Sequence, residues 1–168
     1  MKKIIVLLVV CLSAIMFSGC LLPNDDLIAH KNLKQYKLDV KNSIDRVLNE
    51  KLTYEHTTFK QMLVKYDNEA EKIYNNKDNL TQNDLEKLNL MSGTISLYPE
   101  AICEEFKPLI DKYNLGVVPG AECDIYLYDN FIVKYNIENA KDFKKLLELQ
   151  RTIYQKINKY ENELLNIQ

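Results

Sequence analysis

Few side chains in this sequence have the types and spacing that catalysis requires. The serines after residue 20 are Ser43, Ser92 and Ser96, and none lies in the glycine-rich turn that exposes the nucleophile of a serine hydrolase. The two histidines, His30 and His56, form no HExxH zinc motif, and the chain has no glycine-rich phosphate-binding loop. The sequence therefore predicts a protein that is not an enzyme and has no catalytic residue and no cofactor.

The N-terminal segment has the order of a bacterial export signal. Lys2 and Lys3 precede a largely apolar run over residues 4–17, which is shorter than the roughly 20 residues of a transmembrane helix. The run ends in Phe-Ser-Gly-Cys at residues 17–20. This ending resembles the lipobox of bacterial lipoproteins, in which the residue three before the cysteine is usually Leu rather than Phe.

The resemblance implies a lipid anchor at Cys20. Residues 1–19 would be the signal peptide, and cleavage before Cys20 would leave a cysteine with a thioether-linked diacylglycerol and often an acyl chain, such as palmitate, on its amino group. Residues 20–24 would then be a lipidated tether, and residues 25–168 a single envelope domain. Two or more acyl chains anchor a protein stably to a membrane. Because Leu21 follows the cysteine, where an Asp would signal inner-membrane retention, Gram-negative sorting implies the outer membrane.

Two further cysteines remain after removal of the signal, which carries Cys11 with it. Cys103 and Cys123 would both lie outside the cytoplasm, where two cysteines usually pair. A disulfide between them would stabilise the fold by ~3 kcal/mol in the chain-entropy model, and it would favour a periplasmic location. A metal site needs two further ligands, and no histidine is near either cysteine, so no metal is expected.

The charge balance argues against nucleic acid as a partner. The chain has 22 Lys and Arg against 24 Asp and Glu, and no basic patch is visible in the sequence. Glu104, Glu105 and Glu122 flank the cysteine pair, and together they could form an acidic patch that holds a cation or meets a basic partner.

The apolar pattern predicts an all-α fold, a small antiparallel bundle of about four to five helices. Helical spacing continues from residue 33 to residue 73, where a break near 53–58 and one uninterrupted helix both fit the pattern. Thr58 with Gln61 forms a capping-box sequence that favours the break. Further helices are expected after Thr81, from Pro99 until Pro108 kinks or ends it, and over about 138–166.

Residues 123–135 fit two structures equally well. Two β-prone runs around Asp129-Asn130 suggest a short β-hairpin, whereas the same residues also show helical spacing. Tyr126, Tyr128 and Tyr135 lie in or beside this segment, and tyrosine is enriched at protein interfaces. We therefore predict that residues 122–135 form a partner-binding surface.

These features together predict a membrane-anchored envelope lipoprotein that binds another protein. Inhibitors of foreign hydrolases, immunity proteins, exclusion factors and assembly accessories share its small size, tether and lack of catalytic motifs. The alternative is a lipoprotein that binds a small ligand or a cation, and such a protein would need a cavity.

Overall fold

Helices make up most of the computed structural model, which describes residues 32–52, 55–117, 120 and 122–166. The five long helices are α1 (Leu33–Asn49), α2 (Phe59–Asn75), α3 (Gln82–Ser96), α4 (Tyr98–Tyr113) and α6 (Ala140–Leu165), and a short α5 (Cys123–Leu127) precedes the last of them. No strand occurs within the described residues; Lys51 and Thr58 form an isolated bridge. The predicted all-α class with about four to five helices is confirmed.

Polar contacts show how the helices run relative to one another. Asp39 of α1 binds Lys112 near the end of α4, and Arg46 binds Glu105 nearer its start, so α1 and α4 are antiparallel. The helices α2 and α6 run parallel instead, because Lys156 binds Asp67 at 2.7 Å and Glu163, further along α6, binds Tyr74 further along α2. The bundle therefore contains both relative orientations.

The long helix α6 joins two apolar clusters into one fold. The first cluster is formed by α1, α4, the apolar residues of 115–117 and 123–137, and the start of α6. The second is formed by α2, α3 and the rest of α6. Phe143 is fully buried in the first cluster and Ile157 in the second. Both belong to the apolar stripe that the sequence shows at helical spacing, so this one stripe serves both halves of the domain.

A connection of nine residues separates α1 from α2, so the interpretation as one uninterrupted helix is wrong. The Thr58 side chain accepts a hydrogen bond from the backbone of Gln61, whose side chain in turn accepts one from the backbone of Thr58. This capping box satisfies two backbone N–H groups that a helix start leaves without partners. The same arrangement, between Thr81 and Asp84, opens α3 as predicted.

Helix α4 continues through Pro108 to Tyr113. Of the two alternatives for Pro108, a kink or the end of the helix, the end is therefore wrong. Pro108 lies on the exposed side of the helix, where the backbone carbonyl that loses its N–H partner can bind water. Leu109 and Tyr113 beyond it are buried. Their burial holds the last turn against α1.

Residues 123–135 are helical, and the predicted β-hairpin is wrong. Helix α5 is followed by a π-helical turn over Tyr128–Ile132 and a 3-10 turn over Val133–Tyr135. Of the four residues at helical spacing, Tyr128, Ile132 and Tyr135 are buried in the first cluster, and Ile125 is partly exposed. A strand would send alternate side chains to opposite faces, and only one face of this segment has a core to pack against.

Candidate functional site

The two cysteines predicted to pair lie side by side in the first cluster. Cys103 is on the second turn of α4 and Cys123 begins α5, and both are buried. Their Cα atoms are 6.1 Å apart, a separation that a disulfide spans without backbone movement. The structure thus supports the predicted pair geometrically, and the bond would tie the start of α5 to α4.

A concave surface lies directly beside this cysteine pair. It has a volume of about 650 Å³ and is open to solvent. We call it the Tyr126 cleft; it is lined by Gly116, Gly120, Glu122, Cys123, Ile125, Tyr126, Asp129 and Asn130. The Tyr126 side chain is 48% exposed, and its ring lies 5.9 Å from the ring of Phe131.

The other two tyrosines of the predicted surface point into the core. The Tyr135 ring packs edge-on against Tyr36 at 4.9 Å, and the Tyr128 ring lies 6.4 Å from that of Phe143. Tyr128 and Tyr135 are only 9% and 8% exposed. A partner cannot make extensive contact with either side chain, so the candidate surface narrows to Tyr126 and its neighbours.

A buried carboxylate that the sequence analysis did not single out, Asp124, lies in α5 between two residues that line the cleft. Asp124 is 1% exposed, and its carboxylate accepts hydrogen bonds from the Arg151 guanidinium at 3.2 Å and from the backbone N–H of Ile125 at 2.9 Å. Burial raises the pKa of the Asp124 carboxyl, and the Arg151 charge and the backbone N–H groups offset only part of that rise. A lone Asp inside an apolar run was the available sequence signal.

This raised pKa predicts how stability depends on pH. The native state holds the Asp124 proton at a pH where the unfolded chain, with the ordinary value of 3.8, has released it. The free energy of unfolding therefore loses a contribution as pH rises from about 4 through the native pKa. We expect Asp124→Asn to lack this loss, so that its stability relative to the wild type increases with pH across that window.

Denaturant titrations from pH 3.5 to 7 measure this difference, and Asp142→Asn is the matched control. Asp142 is an exposed carboxylate whose partner is the exposed Lys145. The pH-dependent contributions of titratable groups that a variant shares with the wild type cancel in the difference between their unfolding free energies. A stability difference for Asp124→Asn that is flat across the whole range contradicts the prediction.

The three glutamates near the cysteines do not converge on one point. Glu105 pairs with Arg46 of α1, and Glu104 pairs with Lys107 on its own helix at 3.6 Å. Glu122 alone lines the Tyr126 cleft. Within the described ranges, no group of three or more His, Cys, Asp or Glu side chains is arranged to hold a metal ion.

The hydrogen-bond partners of the serines considered as nucleophiles are groups other than histidine. Ser43 is fully buried and accepts a hydrogen bond from Arg46, Ser92 binds Asn158, and Ser96 donates to a backbone carbonyl of its own helix. His56 lies in the connection between α1 and α2. His30 and Cys20 lie outside the described residues.

A second, smaller cleft bears on the small-ligand alternative. It lies between the end of α1 and the start of α4, has a volume of about 330 Å³, and is lined in part by Arg46, Lys51, Tyr98 and Glu105. Burial raises the pKa of Tyr98, whose ring stacks on Phe59. Arg46 and Glu105 of this cleft form an ion pair with each other, and Glu50 and Lys51 line it as well.

No helix in the described part of the chain combines the length and apolar character needed to cross a membrane.

Comparisons with known proteins leave the function to be argued from this geometry. No protein-family description matches the sequence, and neither a curated protein nor a solved structure shows significant similarity to it.

Proposed function

We propose that this protein is a lipid-anchored protein of the bacterial envelope that binds another protein through the Tyr126 cleft. The lipobox-like ending at Cys20 supports the anchor, and Leu21 after it supports the outer membrane as the location. The observation that carries the binding role is the half-exposed Tyr126 ring in a cleft beside the cysteine pair. An inhibitor, an immunity protein, an exclusion factor or an assembly accessory would each work in this way.

The backbone around Tyr126 is held from several directions. Cys123, Asp124 and Leu127 are buried on either side of it in the chain, and Asp124 is bound by Arg151 of α6. A side chain presented on a restrained backbone loses little conformational entropy when it binds. Tyrosine also combines a large contact area with one hydrogen-bonding group, which suits the centre of an interface.

The charges of the cleft indicate what kind of partner it would accept. Glu122 and Asp129 line it and are exposed, and none of the described residues that line it is basic. A partner with an apolar residue flanked by Lys or Arg would complement this surface. Charge complementarity of this kind speeds association and weakens as salt concentration rises.

Replacing Tyr126 by Ala tests this role. We expect the variant to bind its partner about 10- to 30-fold more weakly, because truncation of a central aromatic residue at an interface typically reduces the binding free energy by about 2 kcal/mol. The measurement is quantitative crosslinking in intact cells, followed by recovery of the protein and identification of what is bound. The melting temperature should stay close to that of the wild type because the side chain is half exposed.

Leu90→Ala is the matched control. Leu90 is an exposed apolar residue, 70% exposed, on α3 in the other half of the domain. A partner captured by the wild type and by Leu90→Ala, but lost with Tyr126→Ala, supports the proposal. If Tyr126→Ala recovers the same partners in the same amounts, the cleft is not the binding site.

A further inference from the structure

A second surface, at the start of α1, differs in charge from the Tyr126 cleft. Lys34, Lys37 and Lys41 lie on one side of the helix with Leu38 between them, and Leu38 is 50% exposed. We call these four residues the basic patch. They line a shallow cleft with Asn136 and Glu138 on its other side.

Most nearby acidic groups are already engaged by other side chains. Asp39 accepts hydrogen bonds from Lys112 at 2.6 Å and from Gln35 at 2.7 Å, so the Lys112 charge offsets its own. Asp45 binds Lys41 at 2.8 Å. Glu138 is the one acidic side chain that lines the cleft, within the part of the chain that the structure describes.

The remaining charges leave the basic patch positive. Neither Lys34 nor Lys37 forms an ion pair with any described residue. The first turn of α1 contains no acidic residue, and the Asn32 side chain makes no capping hydrogen bond. The positive end of the helix dipole therefore adds to the two lysine charges rather than being neutralised.

Chain length places this patch near the membrane if Cys20 carries lipid, so the inference rests on the proposed function. The chain between Cys20 and Asn32 spans at most about 40 Å even when fully extended. The start of α1 is thus the described part of the domain that is closest to the anchor along the chain. So short a tether gives the patch a high effective concentration at the membrane surface, and a weak attraction between the two is therefore sufficient for docking.

We infer that the basic patch docks on anionic lipid headgroups of the membrane that holds the anchor. Lys34 and Lys37 contact phosphate oxygens, and Leu38 enters the headgroup layer between them. Each lysine close to an anionic surface is expected to raise the docked population about fivefold. Docking would hold the domain in one orientation on the membrane, with this end of α1 facing the lipid.

The test measures lysine protection on vesicles. Full-length protein purified from cell membranes is reconstituted into phosphatidylcholine vesicles with or without about 30 mol% phosphatidylglycerol, and acetylation of each lysine is followed by mass spectrometry. We expect Lys34 and Lys37 to react at least about fivefold more slowly on the anionic vesicles, and about 0.5 M salt should abolish the difference. Lys159, an exposed residue in the other half of the domain, should react equally on both.

A variant with a negative charge in the centre of the basic patch provides a second test of docking. Leu38→Asp replaces an exposed side chain, so it should fold normally while removing the protection of Lys34 and Lys37. Equal reactivity on both kinds of vesicle, or protection that survives Leu38→Asp, overturns the docking inference while leaving the anchor standing. Release of the protein from vesicles by high salt shows instead that there is no lipid anchor, and this overturns the proposed anchor and the docking inference together.

Discussion

Replacing Cys20 by Ala should abolish membrane attachment, changing the membrane-bound fraction from nearly all of the protein to nearly none. The diacylglycerol would be attached through the sulfur of Cys20, which Ala lacks. Each buried methylene of an acyl chain contributes ~0.8 kcal/mol to anchoring. The variant should accumulate as an unprocessed precursor or be released. Fractionation of cells and mass spectrometry of the N-terminal peptide measure both outcomes.

Cys11→Ala is the matched control for this experiment. Cys11 lies in the same apolar N-terminal run but is preceded by Val9 and Val10, whereas Ser18 and Gly19 precede Cys20. It should be processed and anchored like the wild type. An unmodified Cys20 in the mature protein refutes lipidation, and recovery of the wild type with the inner membrane refutes the outer-membrane location.

Among the substitutions proposed for this protein, loss of the cysteine pair should lower the free energy of unfolding most. We expect the double variant Cys103→Ser/Cys123→Ser to lose about 3 kcal/mol of unfolding free energy. The two residues are 20 apart in sequence, so the bond would remove much conformational freedom from the unfolded chain. Both side chains are buried, and the hydroxyls that replace them need hydrogen-bond partners.

Denaturant titration with and without a reducing agent measures this effect. Reduction should destabilise the wild type by a similar amount and leave the double variant unchanged. Thiol labelling of protein that is unfolded without reduction gives an independent reading. If both Cys103 and Cys123 are labelled, the disulfide does not exist in the protein.

The two experiments also bear on the Tyr126 cleft. Cys123 begins α5 and lines the cleft that contains Tyr126, so loss of the bond should weaken partner binding by making this segment less rigid. The Cys20 variant, in contrast, should keep its affinity for a purified partner. Anchoring and recognition are therefore expected to be separable functions of one small chain.

Features that depend on neighbours in sequence could be predicted from the sequence. The capping boxes at Thr58 and Thr81 act over three residues, and the apolar stripe of α6 repeats within one helix. For the same reason the sequence indicated the starts of α3, α4 and α6 closely, and it indicated the all-α class. The lipobox-like ending is also a contiguous motif, and its prediction rests on the sequence alone.

The choice between hairpin and helix at residues 123–135 was decided by tertiary packing. The Tyr36 hydroxyl donates a hydrogen bond to the backbone carbonyl of Phe131 at 2.8 Å, across 95 positions of the chain. Tyr135 packs on the same ring of Tyr36. Local preference is nearly balanced between strand and helix in this segment, so contacts with a distant helix determine which structure forms.

The same distant contacts decided which residues could serve as a binding surface. By itself the sequence determined that three tyrosines and two aspartates, Asp124 and Asp129, lie near Cys123, but it treated Tyr126, Tyr128 and Tyr135 alike. The structure buries Tyr128, Tyr135 and Asp124 and leaves Tyr126 half exposed. The physical reason is that burial depends on which other helices cover a side chain, and α1, α4 and α6 approach this segment only in the folded domain.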